Sequence, residues 1–231
     1  MANIAIIPAR GGSKRIPGKN IRNFLGKPII TYSIEVAVKS RLFDEVMVST
    51  DDDDIAEIAV KAGAKLPFMR SEKNADDFAG TSEVLMEVIS NYKGKNIQFE
   101  NGCCIYPTAV FVQAKHLIDG YNLLIKSKSD SVFPLVEYSY PIWRGLKKNE
   151  NNTVQMLWPE YLNSRSQDLK KVYHDAGQWY WFNMNSFISK KKIFAENSTS
   201  IELMETEVQD IDTEQDWLIA EMKYKLLYGQ T

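Results

Sequence analysis

Residues 4–20 read IAIIPA (4–9) and then RGGSKRIPGKN (10–20), an apolar run that passes directly into a basic, glycine-rich loop. The apolar run predicts a short buried strand. The loop brings together four cations and three glycines. Glycine lets backbone N–H groups turn toward an anion, and Lys and Arg add full positive charges. The pattern therefore predicts a polyphosphate-binding loop at the end of the first strand, with a solvated basic turn as the alternative.

The loop differs from the two common phosphate-binding motifs. A Walker A loop has four residues between its first glycine and the Gly-Lys-Ser/Thr, whereas five separate Gly12 from Gly18. Asn20 stands where the magnesium-binding hydroxyl would be, and Pro17 disfavours the helix that should begin there. The dinucleotide fingerprint G-x-G-x-x-G is also missing from the sequence. A kinase, an ordinary ATPase and a Rossmann dehydrogenase are therefore disfavoured.

Composition indicates a single α/β domain over residues 1–231. Apolar residues make up 44% of the chain and charged residues 25%, as in ordinary globular proteins. The net charge of −2 gives no global basic field for nucleic acid, and no apolar run approaches the ~20 residues of a membrane span. Cys103 and Cys104 are adjacent, so they predict neither a disulfide framework nor a zinc site. We expect a cytoplasmic protein with no nucleic-acid or membrane partner.

Strand-like and helix-like patterns alternate along the first two-thirds of the chain. This alternation predicts a doubly wound, mostly parallel sheet, whose ligands bind at the carboxyl ends of the strands. The predicted strands are 4–8, 45–50, 65–68, 103–106 and 131–136, followed later by 178–182 and 200–203. The predicted helices run from Pro28 to about 39, from the acidic run 51–54 onward, from Thr81 or Ser82 to about 92, over about 113–126, and over 213–227.

Residues 138–173 interrupt this alternation. The segment carries six tyrosines and tryptophans among polar residues, with little helical or strand period. A monomer would not normally leave so many aromatics uncovered. We interpret the segment as an excursion that pairs with a second subunit and partly covers the active site, the alternative being an irregular loop packed in the core.

Six motifs in order along the chain resemble a known family. They are Ala9 to Asn20, Val48-Ser49-Thr50-Asp51, Arg70-Ser71-Glu72, Ala75-Asp76-Asp77, Tyr106-Pro107-Thr108 and Asp210-Ile211-Asp212-Thr213. Together they resemble the cytidylyltransferases that activate nonulosonic (sialic-type) acids. The resemblance implies a fold of the nucleotide-diphospho-sugar transferase type, a homodimer, Mg²⁺ as cofactor, and CTP and an acidic nine-carbon sugar as substrates.

The resemblance also implies roles for individual residues. Arg10 and Lys19 are the expected catalytic residues, since they would stabilise charge in the transition state. Arg15 and Arg22 have weaker claims and could be solvated charges. The expected nucleotide contacts are Arg10, Ser13, Lys14, Lys19, Asn20, Arg70 and Ser82.

A metal site is expected at Asp210 and Asp212. Two residues apart on an extended segment, they would project to the same side, and paired carboxylates suit Mg²⁺. The alternative is that Asp212 only caps the last helix.

On the sugar side, a carboxylate substrate favours a forked arginine, for which Arg165 is the candidate with Gln167 beside it. A surface ion pair is the alternative for Arg165. Tyr106 and His174 stand where many neuraminate enzymes carry Gln and Arg, and both positions are expected to contact substrate. With the 161–168 and 173–178 blocks, they resemble the branch that acts on pseudaminic acid. The alternatives are the same reaction on N-acetylneuraminic, legionaminic or a deoxy-octulosonic acid, or a non-catalytic nucleotide-binding module.

Overall fold

A seven-stranded sheet forms the centre of the computed structural model, which describes residues 2–76 and 79–229. The Asp77 position of one sequence motif lies outside these residues. In chain order the strands are β1 (Asn3–Pro8), β2 (Asn23–Phe24), β3 (Lys27–Pro28), β4 (Glu45–Ser49), β5 (Asn101–Ile105), β6 (Ser131–Glu137), β7 (Leu146–Lys148), β8 (Val154–Met156), β9 (Tyr173–Asp175), β10 (Trp179–Asn183) and β11 (Ser198–Glu202). The helices are α1 (Ile30–Ser40), α2 (Asp53–Lys61), α3 (Thr81–Gly94), α4 (Ala114–Ser127), α5 (Met184–Lys190) and α6 (Glu214–Tyr228).

The sheet is mixed, with the order β11-β6-β10-β5-β1-β4 and with β9 added to β6. β1 pairs in parallel with β4 and with β5, and β11 pairs in parallel with β6. β10 lies antiparallel between β5 and β6, and β9 is antiparallel to β6. The carboxyl ends of β1, β4, β5 and β6 therefore share one edge with the start of β10. The predicted α/β fold with a mostly parallel sheet is confirmed.

Helices cover both faces of the sheet because residues along each strand alternate between them. On one face, Ala5 and Ile7 of β1 pack with α1, α2 and α4. On the other face, Ile4 and Ile6 pack with α3 and α5. Cys103 and Cys104 are free and fully buried, one in each of these two clusters. The sheet thus has two cores, as a doubly wound fold requires.

The predicted strand at residues 65–68 is wrong. Lys65 makes a single parallel bridge to Met47, its N–H bonding to the Val46 carbonyl and its carbonyl to the Val48 N–H. Pro67 follows and has no N–H to donate, so pairing cannot continue. The pairing of this segment with β4, an edge strand of the sheet, therefore ends after one residue.

Helix starts also differ from prediction by one or two residues. Pro28 belongs to β3, and α1 begins at Ile30. Gly80 is the N-cap of α3 and has no side chain that could cap the helix, while the hydroxyl of Thr81, the first helical residue, contacts Tyr106. A side chain used in a tertiary contact is not available to cap its own helix.

The aromatic excursion contains regular structure that its sequence did not indicate. β7 and β8 form an antiparallel hairpin, and Trp143 packs edge-on against Trp158 with ring centroids 5.6 Å apart. The excursion nevertheless leaves large apolar side chains exposed to solvent, at 85% for Tyr140 and 63% for Leu146. It is therefore not a loop packed in the core. Within residues 2–76 and 79–229, the structure holds no helix that is both long and apolar enough to traverse a bilayer.

Candidate active site

The basic loop leaves β1 at the carboxyl edge of the sheet and is anchored beside the end of β4. The Gly11 N–H donates to Asp51 Oδ1 at 3.1 Å. A Cβ atom on Gly11 would lie 2.5 Å from Asp52 Oδ2, so only glycine fits this close approach without a shift. Asp52 in turn caps α2 through the Ile55 N–H at 2.9 Å. The strand end, the loop and the helix start are thereby held as one unit.

Asn20 closes the loop across its two ends. Its Nδ2 donates to the Arg10 carbonyl at 2.9 Å, and the side chain is buried. Its Oδ1 is buried with no hydrogen-bond partner among the described residues. A buried acceptor without a partner costs about 1–3 kcal/mol. The closed loop thus keeps one buried acceptor that the described residues leave unpaired.

Two cations of the loop meet the Asp210–Asp212 segment, which lies 190 residues further along the chain. Lys19 Nζ donates to the Ile211 carbonyl at 2.7 Å and lies 3.4 Å from Asp212 Oδ1. Arg15 Nη2 donates to the same Asp212 oxygen at 2.7 Å. Arg15, for which a solvated charge was a possible interpretation, thus pairs with Asp212. The predicted phosphate and metal residues share one site.

Asp210 and Asp212 line one cleft of about 360 Å³, together with His174 and Lys223. Partial burial and the neighbouring Asp212 carboxylate raise the pKa of Asp210, and Lys19 opposes this shift. Two carboxylates held together against their repulsion suit a divalent cation. The described residues contain no cluster of three or more His, Cys, Asp or Glu side chains arranged for a metal. A pair of carboxylates completed by phosphate oxygens and water is the usual donor set for Mg²⁺, so the residues present fit this ion.

The helix cap beyond Asp212 is Thr213. Its hydroxyl accepts from the Asp216 N–H at 3.2 Å, and the Asp216 carboxylate accepts from the Thr213 N–H at 2.7 Å. This reciprocal pair is a capping box. The interpretation of Asp212 as a mere cap is therefore wrong, and its carboxylate is directed at Arg15 and Lys19.

Arg70 is buried beside the end of β4, at the carboxyl edge of the sheet. Its guanidinium donates to the Ser49 hydroxyl from Nε at 3.1 Å and to the Ser49 carbonyl from Nη2. Burial lowers the pKa of Arg70, and Asp51 and Glu87 partly offset this. Arg70 thus fixes the end of β4. Ser82, also a predicted nucleotide contact, is half-buried in the first turn of α3.

Of the other loop residues, Arg10 donates from Nη1 to the Asp76 carbonyl at 3.0 Å. Ser13 turns the loop through its N–H, which bonds to the Gly11 carbonyl at 2.9 Å. Lys14 also lies within the loop and makes a contact of its own. Arg22 pairs with Glu214 at 2.6 Å and lies over the Trp217 ring, away from Asp212.

Tyr106 and His174 lie at the same edge, on the side of β6 and β9. Tyr106 follows β5, and its N–H bonds to the Gln178 carbonyl at 2.8 Å. His174 belongs to β9, packs against Tyr138 in a tilted arrangement with ring centroids 4.9 Å apart, and lines the cleft that holds Asp210. His174 therefore lies in the cleft of the acidic pair, whereas Tyr106 lies just beyond the carboxyl end of β5.

Arg165 and Gln167 do not reach this cleft within their own chain. Arg165 makes a forked pair with Asp168, at 2.7 Å from Nε and 3.2 Å from Nη2, and both side chains are exposed. Gln167 is exposed in the same excursion, in a groove with Tyr138 and Lys170. Within one chain, the surface ion pair describes Arg165.

Sequence reasoning missed Lys223 and Gln178, both of which support the acidic pair. Lys223 Nζ donates to the Glu205 and Val208 carbonyls at 2.9 and 2.7 Å, and burial lowers its pKa. Gln178 Nε2 donates to the Glu207 carbonyl at 2.6 Å. Lys223 lies on α6, as Asp216 does, but a lysine on a terminal helix does not by itself indicate a functional role. Gln178 falls within the predicted strand and was read only as part of it.

Comparisons with known proteins agree with this geometry. A family model described as cytidylyltransferase matches residues 4–227. A pseudaminic acid cytidylyltransferase of Campylobacter jejuni is 44% identical over 226 residues, covering 98% of this chain and 97% of that protein. A CMP-N,N'-diacetyllegionaminic acid synthase of Legionella pneumophila is 31% identical, covering 98% and 97%. The solved structure of a CMP:2-keto-3-deoxy-manno-octonic acid synthetase complexed with CTP has a TM-score of 0.69 at 17% identity, covering 98% and 99%, and shares the fold.

Proposed function

The chain belongs to the cytidylyltransferase family, and from this premise we propose that it transfers CMP from CTP to the anomeric hydroxyl of pseudaminic acid, releasing pyrophosphate. The single observation that carries the reaction type is the contact of Lys19 with Ile211 and Asp212. It joins a triphosphate-binding loop to a carboxylate pair suited to magnesium, which is the combination that nucleotidyl transfer requires. The identity of the sugar rests on the 44% identical relative, together with Tyr106 and His174.

The chain's own residues mainly position the substrates and neutralise charge. Arg10, Lys14 and Lys19 present cations to the triphosphate, with backbone N–H groups of the glycine-rich loop beside them. Arg10 and Lys19 oppose the charge that grows on the leaving pyrophosphate, which lowers the barrier. The loop is held by Asn20 and by Gly11 against Asp51, so the donors need little reorganisation at the moment of reaction.

Magnesium would be held by Asp210 and Asp212, and when bound it supplies Lewis-acid neutralisation of the phosphate oxygens. Gln178 and Lys223 hold the 205–208 carbonyls that precede this pair. Their bonds fix the position of both carboxylates. Bound triphosphate would also draw Lys19 away from Asp212, since the phosphate oxygens and the carboxylate would compete for the one ammonium group.

A homodimer would complete the sugar site. The excursion over residues 138–173 exposes Tyr140, Leu146 and Val154, which is unusual for a monomer surface. Arg165 and Gln167 lie in this excursion and not in their own chain's cleft. We propose that they reach the cleft of a second copy, where Arg165 would exchange Asp168 for the sugar carboxylate. The enzyme would act in the cytoplasm, where the adjacent free thiols of Cys103 and Cys104 stay reduced.

Pyrophosphate release separates this proposal from its rivals. The purified protein is assayed with CTP and Mg²⁺ and with pseudaminic, legionaminic, N-acetylneuraminic or 3-deoxy-octulosonic acid. The proposal predicts release that depends on both CTP and sugar and is fastest with pseudaminic acid. A nucleotide-binding module would bind CTP and release nothing with any sugar, and that result would contradict the proposal.

A further inference from the structure

The side chain of Arg15 is bound to one of the two carboxylates assigned to magnesium. Its Nη2 donates to Asp212 Oδ1 at 2.7 Å, and Lys19 Nζ lies 3.4 Å from the same oxygen. A metal ion that binds this oxygen must displace the guanidinium or lie against two positive charges, and the repulsion lowers its affinity. Arg15 and magnesium therefore compete for Asp212.

The charges of the two loop cations offset those of the carboxylate pair. Asp210 and Asp212 carry two negative charges, and Arg15 and Lys19 bring two positive charges to the same segment. The number of charged ligands is a main determinant of the affinity of a protein site for a hard divalent cation. A carboxylate pair in contact with two cations is therefore a weak site for a metal ion that arrives without nucleotide.

The two cations differ in how readily they can leave the segment. The Lys19 side chain is 19% exposed, and its ammonium also donates to the Ile211 carbonyl at 2.7 Å. The Arg15 side chain is 66% exposed, and its partner Asp212 is 36% exposed. An ion pair between exposed side chains contributes little stability, so a second anion can take its place at small cost. Arg15 is therefore the cation that is able to move.

A triphosphate is a stronger partner for Arg15 than Asp212 is. Arg15 directly follows Lys14 in the loop that we assign to the triphosphate. A guanidinium forms bidentate, charge-assisted hydrogen bonds with phosphate oxygens, and a triphosphate carries several negative charges where Asp212 carries one. When nucleotide enters the loop, Arg15 gains by leaving the carboxylate.

We propose that Arg15 exchanges Asp212 for the triphosphate of the incoming nucleotide, so that Asp212 becomes available to magnesium only when nucleotide is bound. The identities of the nucleotide and the metal rest on the proposed function. Arg15 is then a nucleotide contact that also sets the order in which the two ligands bind. Lys19 keeps its bond to the Ile211 carbonyl and holds the segment in place during the exchange.

Mn²⁺ alone, without nucleotide or sugar, tests the competition at Asp212. Electron paramagnetic resonance of the unbound ion gives the Kd for Mn²⁺, and no turnover occurs. Arg15→Gln removes the competing charge and should lower this Kd by about 5- to 30-fold relative to the parent. Arg15→Lys keeps a positive charge at the same place and should leave the Kd within about threefold of the parent.

Two further variants assign the change to this ion pair. Arg22→Gln removes a cation just beyond the loop whose partner is Glu214, at 2.6 Å, and it should leave the Kd for Mn²⁺ within about twofold of the parent. The gain from Arg15→Gln should disappear when it is measured in an Asp212→Asn background, because the two side chains act as one pair.

Calorimetric titration in chelator measures the other half of the exchange. CTP and CMP are each titrated into the parent and into Arg15→Gln, without metal or sugar. Arg15→Gln should weaken the binding of CTP by about 3- to 10-fold, since a charge-assisted contact is lost. It should leave the binding of CMP unchanged, because CMP lacks the outer phosphates.

Either half of the experiment can overturn the inference. An Mn²⁺ affinity that is the same, or undetectable, in the parent and Arg15→Gln contradicts the competition, and an unchanged CTP affinity contradicts the exchange. Neither measurement needs turnover. If no sugar supports pyrophosphate release while both affinities change as expected, the proposed function fails and the exchange stands. If pyrophosphate is released while both affinities stay the same, the exchange alone fails.

Discussion

Lys19→Met removes one of the two loop side chains that contact the Asp210–Asp212 segment, the other being Arg15. The lysine side chain is only 19% exposed, and its ammonium donates to the Ile211 carbonyl at 2.7 Å. Its loss should have two separable effects. The Ile211 carbonyl loses its hydrogen-bond donor, which costs about 1–3 kcal/mol of stability. The transition state loses a preorganised cation, which typically costs on the order of 10²–10³ in kcat.

Arg22→Gln is the control, at a cation just beyond the loop. Arg22 is 38% exposed, and its partners are Glu214 and the Trp217 ring, not Asp210 or Asp212. Its removal costs an exposed ion pair of about 0–1 kcal/mol and should change kcat less than about threefold.

The assay follows pyrophosphate release at saturating CTP, sugar and Mg²⁺, with melting temperature measured on the same preparations. We expect Lys19→Met to remain folded and to lose at least about 100-fold in kcat. The reasoning is refuted if Lys19→Met keeps kcat within about threefold of the parent. The reasoning is equally refuted if Arg22→Gln loses as much activity, because contact with the Asp210–Asp212 segment would then make no difference.

Three further predictions concern the acidic pair and assembly. Asp210→Asn and Asp212→Asn should each raise the Mg²⁺ concentration needed for half-maximal rate, and a variant that titrates like the parent contradicts the metal assignment. The raised pKa of Asp210 means that its ionised form destabilises the fold, so the effect is present at neutral pH and lost as pH falls below the ordinary aspartate range. In chelator, Asp210→Asn should therefore melt at or above the parent at pH 7 and match it in acid; a lower melting point at pH 7 contradicts the sign. Light scattering should give a dimer of twice the 26.4 kDa chain mass, and a monomer well above assay concentration rules out the role of residues 138–173.

The sequence predicted the sheet and the loop because both depend on local signals. The run 4–9 is apolar without interruption, as expected for a strand buried on both faces, and the structure places it inside the sheet between β4 and β5. Residues 65–68 carry a similar local signal but lie at the outer flank of β4, where Pro67 stops pairing. Pro67 is itself a local signal against a continuous strand, and it outweighs the strand propensity of its neighbours.

The site was predictable in its parts more than in its connections. Asp210 and Asp212 stood out by their spacing, but their contact with Arg15 and Lys19 spans more than 190 residues, and no local pattern carries such a distance. Arg70, a predicted nucleotide contact, bonds to Ser49 from Nε and Nη2, and no local pattern indicates that partner.

The most direct test of the account is a competition between two sugars in one reaction. Pseudaminic and N-acetylneuraminic acids are supplied at equal concentration with limiting CTP and with Mg²⁺, and the two CMP-sugars are quantified by mass spectrometry at early times. The product ratio then equals the ratio of kcat/KM values. The account predicts CMP-pseudaminic acid in excess by more than about 100-fold, because Tyr106, His174 and the surrounding aromatic residues leave neuraminate hydroxyls unpaired. Comparable amounts of the two products, or an excess of CMP-N-acetylneuraminic acid, would contradict it.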